Sequence, residues 1–240
     1  MLFRQLFDKA SSTYTYLIAD EQTREAVLVD PVLEQVDRDL KLTQELNLKL
    51  LFCLETHIHA DHITGTGKLR GYTGCEGLVP ENADVDCASG FVRHRQVLEV
   101  GSVSIEAIET QGHTDSHLAY LVGYDHVLTG DALFIRGCGR TDFQGGSAEA
   151  LYDNVSQRLF SLPESTRVYP AHDYHGQTVS TIGEEKRWNP RFVDLTAEPP
   201  QLRDRQSFVR LMNNLDLPSP QRMMEAVPAN ERCGHQSMNT

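Results

Sequence analysis

The sequence predicts a layered α/β fold, a sheet-rich core with helices outside it. Short apolar runs with strand-like alternation open the chain and recur through its middle. Two longer stretches carry helical apolar spacing. Their order is strands then a helix, followed by strands then a helix again, which suits sheets covered by helices and leaves several α/β architectures open.

Leu2 to Asp8, Tyr14 to Ala19 and Glu25 to Asp30 read as three opening strands, the third ending in Val-Leu-Val-Asp-Pro. Val32 to Leu46 places Leu33, Val36, Leu40, Leu42 and Leu46 at helical spacing. The run Leu48 to Thr56 has the pattern of a buried strand, and Ile63 to Arg70 reads as a short helix. Residues 71–95 are weakly patterned and predict loops with one short strand. Gln96 to Thr110 predicts a hairpin turning at Gly101, and residues 117–124 and 126–129 a further strand pair. Ser147 to Phe160 is an amphipathic helix, Arg167 to Tyr169 a short strand, and Thr178 to Trp188 a helix stopped by Asn189-Pro190.

Prolines at 190, 199, 200, 218, 220 and 228 interrupt the pattern beyond that point, with one helical stretch near Arg203 to Asn214. The expected organisation is a catalytic domain over 1–188 and a C-terminal extension over 189–240 lying on it, with a disordered tail from Glu231 to Thr240. No repeat at a fixed period and no low-complexity tract is present.

A net charge of -12 argues against a nucleic-acid binder, which needs a basic patch. No apolar stretch approaches the roughly 20 residues of a membrane span. The N-terminus lacks the features of a signal peptide or a mitochondrial leader. Five cysteines, an odd number without C-x-x-C, indicate neither a disulfide framework nor a thiolate zinc site, and favour a reducing cytoplasm.

Residues 56–62 read Thr-His-Ile-His-Ala-Asp-His, three imidazoles and a carboxylate directly after a strand. Ligand groups this dense point to a metal, because imidazole suits zinc, iron, copper and nickel and a carboxylate adds charge. His113, Asp131 and His172 also fall just past strand ends, beside Gly or Pro. Each alone is an ordinary loop residue; with the first cluster they repeat one geometric pattern. His94, His126 and His235 read as surface residues, and His117 as the start of a strand.

The set His57-x-His59-x-Asp61-His62, His113, Asp131 and His172 resembles the metallo-β-lactamase superfamily over roughly residues 13–175. The resemblance implies an α+β four-layer αββα sandwich with the metal at one edge. The segments Thr56 to Gly65, Ile135 to Gln144, Tyr169 to Tyr174 and Ser180 to Lys186, with Asn189-Pro190-Arg191 and Met212 to Leu215, are similar to persulfide dioxygenases, also called sulfur dioxygenases or ethylmalonic-encephalopathy-type proteins.

That resemblance implies one Fe(II) per chain on His57, His113 and Asp131. It implies oxidation of glutathione persulfide with O2 to sulfite and glutathione, both oxygen atoms being incorporated, and a homodimer. His59, Asp61, His62 and His172 would then orient the ligands from behind or be inherited remnants, with Asp61, His62 and His172 as catalytic candidates. Arg140, Arg136, Tyr174, Arg191 and Cys138 are the expected substrate contacts, a small packed residue being the safer expectation for Cys138. Residue types alone leave open a binuclear thioester hydrolase of the glyoxalase II type, and a non-enzymatic metal-binding redox-sensing module.

Overall fold

In a computed structural model, which describes residues 1–218 and 221–235, two six-stranded sheets pack face to face. The first sheet contains β1 (Leu2–Asp8), β2 (Thr13–Ala19), β3 (Glu25–Val29), β4 (Lys49–Leu54), β5 (Glu76–Pro80) and β6 (Gly90–Val92) in chain order. The second contains β7 (Val97–Val100), β8 (Val103–Glu109), β9 (Leu118–Val122), β10 (His126–Gly130), β11 (Arg167–Pro170) and β12 (Ser180–Thr181). The first three strands are antiparallel, whereas β3 through β6 run parallel. In the second sheet only β10 and β11 are parallel.

Strand period explains the layers. Tyr14, Tyr16 and Ile18 of β2 face the other sheet, meeting Val103, Ile105, Tyr120 and Leu128 in one core. Leu17 and Ala19 point the opposite way, into a second cluster with Val36 of α1 (Val36–Glu45) and Leu69 of α2 (Thr66–Thr73). Both faces of β2 are therefore covered, and all seven of its residues are buried. On the far side, Ala119 and Val127 pack on Leu151 of α3 (Ala148–Asn154), Ile182 of α4 (Ile182–Trp188) and Phe208 of α5 (Arg205–Asn213). Helix, sheet, sheet, helix is the αββα sandwich.

Several local expectations are corrected. Residues 71–95 hold two strands, β5 and β6, because β5 is a parallel strand sheltered between neighbours and needs no alternation. Thr178 to Trp188 begins with β12 and becomes helical only at Ile182, where Thr181 caps α4 by accepting from Glu184 N. A further helix, α6 (Met223–Asn230), forms despite Pro228 within it. Residues 231–235 are ordered by backbone hydrogen bonds such as Gly234 N to Ala229 O; residues 236–240 lie outside the described residues. The odd cysteine count misled as well: Cys87 and Cys233 form a disulfide across 146 residues, tying the chain before β6 to the end of α6. His126 is buried, its ring stacked on Tyr169.

Candidate metal centre

The strand ends at one edge of the sandwich deliver the expected residues together. The 57–62 segment follows β4, His113 follows β8, Asp131 directly follows β10, and His172 follows β11. Donor atoms of His57, His113 and Asp131 all lie within 4.8 Å of one another. Crowding fixes the turns around them. A Cβ at Gly130, whose φ is +51°, would sit 2.5 Å from His117 Nε2, and one at Gly139 would sit 2.7 Å from His113 Nδ1.

Hydrogen bonds assign the ring nitrogens. The Thr56 hydroxyl donates to Asp30 Oδ2 at 2.9 Å, so it accepts from His57 Nδ1 at 3.0 Å and leaves Nε2 as the ligand atom. His113 Nδ1 donates to the Arg140 carbonyl at 2.7 Å, and its Nε2 faces Asp131 Oδ2 at 3.3 Å. Burial, with His59, His113 and His117 nearby, holds His57 well below the ordinary imidazole range, so it presents a neutral lone pair. Asp131 Oδ1 is buried with no hydrogen-bond partner among the described residues. Two oriented imidazoles and an orphaned carboxylate oxygen fit a first-row divalent metal ion.

A second group lies beside the first. Asp61 Oδ2 is 2.9 Å from His62 Nδ1, and Asp61 Oδ1 is 3.5 Å from His172 Nε2, which in turn is 3.6 Å from Asp131 Oδ1. Burial would raise Asp61, but His172 and His62 hold it well below the usual carboxylate range. Burial would lower His172, but Asp131 and Asp61 raise it to about 10. His59, Asp61 and His62 also meet metal-ligand spacing. His59 leans on two buried acids as well, with Nε2 3.0 Å from Asp30 Oδ1 and 3.6 Å from Glu55 Oε2.

The expected substrate residues divide. Tyr174 lies over the site, its ring parallel to that of His172 with centroids 6.1 Å apart, and is exposed. The Arg140 guanidinium pairs with Asp142, donates to the Pro218 carbonyl and sits 4.4 Å over the Phe143 ring. It lines a polar cavity of about 350 Å³ with Thr141, Ser147, Met212 and Leu217. Arg136, expected beside substrate, is instead committed to Glu184, Glu185 and Ser180, tying its loop to α4. Cys138 packs against Met212, and burial pushes its thiol up to about 12. Arg191 donates its backbone N–H to Asn189 Oδ1.

Sequence reasoning missed the supports. Asp30, past the end of β3, accepts from both Thr56 N and Thr56 Oγ1; the strand-end signal in Val-Leu-Val-Asp-Pro was present but matched an ordinary turn. His117 lies just before β9 and accepts the Asp131 backbone N–H on Nε2 at 3.0 Å, which places Asp131.

Comparison with known proteins narrows this arrangement. Residues 8–172 match the model of the metallo-beta-lactamase superfamily. The human protein described as persulfide dioxygenase ETHE1, mitochondrial, is 46% identical over 240 residues, covering 99% of this chain and 90% of its own. The crystal structure of ETHE1 from Myxococcus xanthus is 53% identical, superposes with a TM-score of 0.91, and covers 98% of this chain and 100% of that one. A Dictyostelium discoideum protein described as glyoxylase B2 is 28% identical, over 93% of this chain and 88% of its own.

Proposed function

Since the chain belongs to the metallo-β-lactamase superfamily and, within it, to the ETHE1 persulfide dioxygenase family, we propose that it oxidises glutathione persulfide with O2, using one Fe(II). The balanced reaction is GSSH + O2 + H2O giving GSH and H2SO3. The observation that carries it is the closed set of His57, His113 and Asp131, with a buried Asp131 oxygen that accepts no hydrogen bond among the described residues. Two imidazoles and one carboxylate are the facial set of non-haem iron oxygenases. Fe(II) held there supplies the redox chemistry that O2 requires.

The protein's own groups do the rest. Thr56 and the Arg140 carbonyl hold the His57 and His113 rings in one tautomer. His172 lies between Asp61 and Asp131, its Nε2 facing both carboxylates, where it orients the ligand carboxylate and is placed to relay a proton to the site. His172 and His62, the latter hydrogen-bonded to it, favour the ionised form of Asp61. Tyr174 borders the mouth. Arg140, beside the polar cavity, would take a glutathione carboxylate in exchange for Asp142.

The test is to load purified protein with Fe(II), measure metal content, and follow O2 uptake with glutathione persulfide. One iron per chain and O2-dependent sulfite are expected; two zinc ions and no O2 uptake would remove the proposal. Arg140→Ala should raise KM with kcat largely kept, and unchanged kinetics would withdraw its role. The second group at metal-ligand spacing favours one rival, a binuclear glutathione thioester hydrolase. Anaerobic hydrolysis of S-lactoylglutathione would establish that rival.

The proposal includes a homodimer, read by light scattering. It also includes a cytoplasmic location, where the thiol pool would hold Cys87 and Cys233 reduced. Alkylation of these cysteines in rapidly quenched cells reads that state.

A further inference from the structure

The metal loop is clamped from the far end of the chain. Asn230, the last residue of α6, is buried. Its Nδ2 donates to the carbonyls of His59 and His62, both at 2.9 Å, and its Oδ1 accepts from Thr64 N at 2.8 Å. One amide thus satisfies three backbone groups within six residues of the ligand-bearing segment. Among the described residues, neither carbonyl receives another donor.

The approach of α6 is close and built. Gly67 N donates to Cys233 O at 3.1 Å, and a Cβ on Gly67 would lie 2.3 Å from that oxygen. Gly234, at φ +82°, has no room for a Cβ against Thr64 O at 2.2 Å. Ala226 and Ala229 pack on Ile63, and Cys87 and Cys233, disulfide-bonded in this structure, meet just beyond. Such contacts would suffice to dock a helix. The amide adds something they do not, because it fixes the backbone on both sides of Asp61 and thereby sets the path of the loop from His57 to Thr64.

We propose that Asn230 is a positioning residue of the metal centre, holding the 57–64 loop in its ligating conformation through the His59 and His62 carbonyls. This rests on the metal site of the preceding reading but not on its oxygen chemistry. Asn230→Asp is the sharpest probe: nearly the same shape, with an oxygen in place of the amide group that donates twice. Asn230→Ala removes all three bonds, and Asn230→Ser restores a single donor.

The readouts are Fe(II) and Co(II) affinity by chelator competition, the visible spectrum of the Co(II) form, and the Tm of metal-free protein. A loss of about 10-fold or more in affinity is expected for Asn230→Asp and Asn230→Ala, with a changed Co(II) spectrum and partial recovery in Asn230→Ser. Wild-type affinity and spectrum in the folded variants, whatever their Tm, would overturn the proposal. If Asn230→Ala fails to fold, the other two variants decide. A wild-type chain that binds neither metal would overturn the metal reading itself, an outcome visible before any variant is compared.

Discussion

The two ends of the sandwich treat their strand-end aspartates in opposite ways. At the end away from the metal centre, Asp20 follows β2 and meets the Gly101 turn between β7 and β8. Its carboxylate accepts from Gln22 N, Thr23 N, Ser102 N and Ser102 Oγ. At the other end, Asp131 keeps one buried oxygen with no hydrogen-bond donor among the described residues, His172 Nε2 standing 3.6 Å off, and Asp30 stands between, bound by Thr56 but also facing His59. All three sit at the same kind of junction. Satisfaction separates them, since a buried acceptor left without a donor costs about 1–3 kcal/mol, and a fold keeps one where a ligand will complete it. The fully bonded carboxylate is a turn lock, and the one without a donor, set beside two oriented imidazoles, is free to take a metal ion.

That contrast can be broken most directly at Asp131. Asp131→Ala should abolish metal retention and activity, a loss of more than about 100-fold, while the metal-free protein stays folded, because Asp131 Oδ1 accepts no hydrogen bond and His172 keeps its contact with Asp61. Elemental analysis and Tm together check this. A variant that keeps its metal would show that the orphan is not a ligand. Asp30→Asn should have an intermediate effect. It removes the charge facing His59 and turns one acceptor into a donor against Thr56, so Fe(II) affinity should fall about 10- to 100-fold. Chelator competition reads the change, and an unaltered affinity would mean that the Thr56–His57 bond does not depend on Asp30.

The same contrast explains what was legible in the sequence. The candidate cluster was visible because His57, His59, Asp61 and His62 fall within six consecutive residues after an apolar run, and because His113, Asp131 and His172 repeat the junction. The layered α/β order was legible in the alternation of β2 and the spacing of α1, whereas the αββα arrangement was legible only through the superfamily resemblance. Asp20, Asp30 and Asp131 are indistinguishable by those signals. Only the donors around each tell them apart, and the deciding ones come from distant segments, as Ser102 does for Asp20 and Thr56 for Asp30. Asn230 was beyond reach for that reason: it meets Thr64 across 166 residues, on a helix whose pattern Pro228 obscures. Arg136 shows the converse error, a local position beside the site whose side chain is claimed by Glu184 and Glu185 of α4.

The smallest expected effect, and the cleanest control, is at Asp20. Its four donors, led by Ser102, hold the carboxyl well below its ordinary value, so the folded state prefers the ionised form more than the unfolded chain does. A depressed folded pKa gives stability that is present above the unfolded value, about 4, and is lost as pH falls towards the folded one. Asp20→Ala should therefore lower Tm at pH 7 and leave the metal content and the Co(II) spectrum unchanged. The Tm difference from wild type should narrow steadily below about pH 4, as the wild-type carboxyl takes up its proton and loses its advantage. Thermal melts across that range, on metal-free protein so that ligand protonation does not enter through metal release, check the sign. A difference that stays constant with pH would mean that Asp20 acts by shape and not by charge. Loss of metal in Asp20→Ala would show that the two ends of the sandwich are coupled, and satisfaction could no longer be used to tell a turn lock from a ligand.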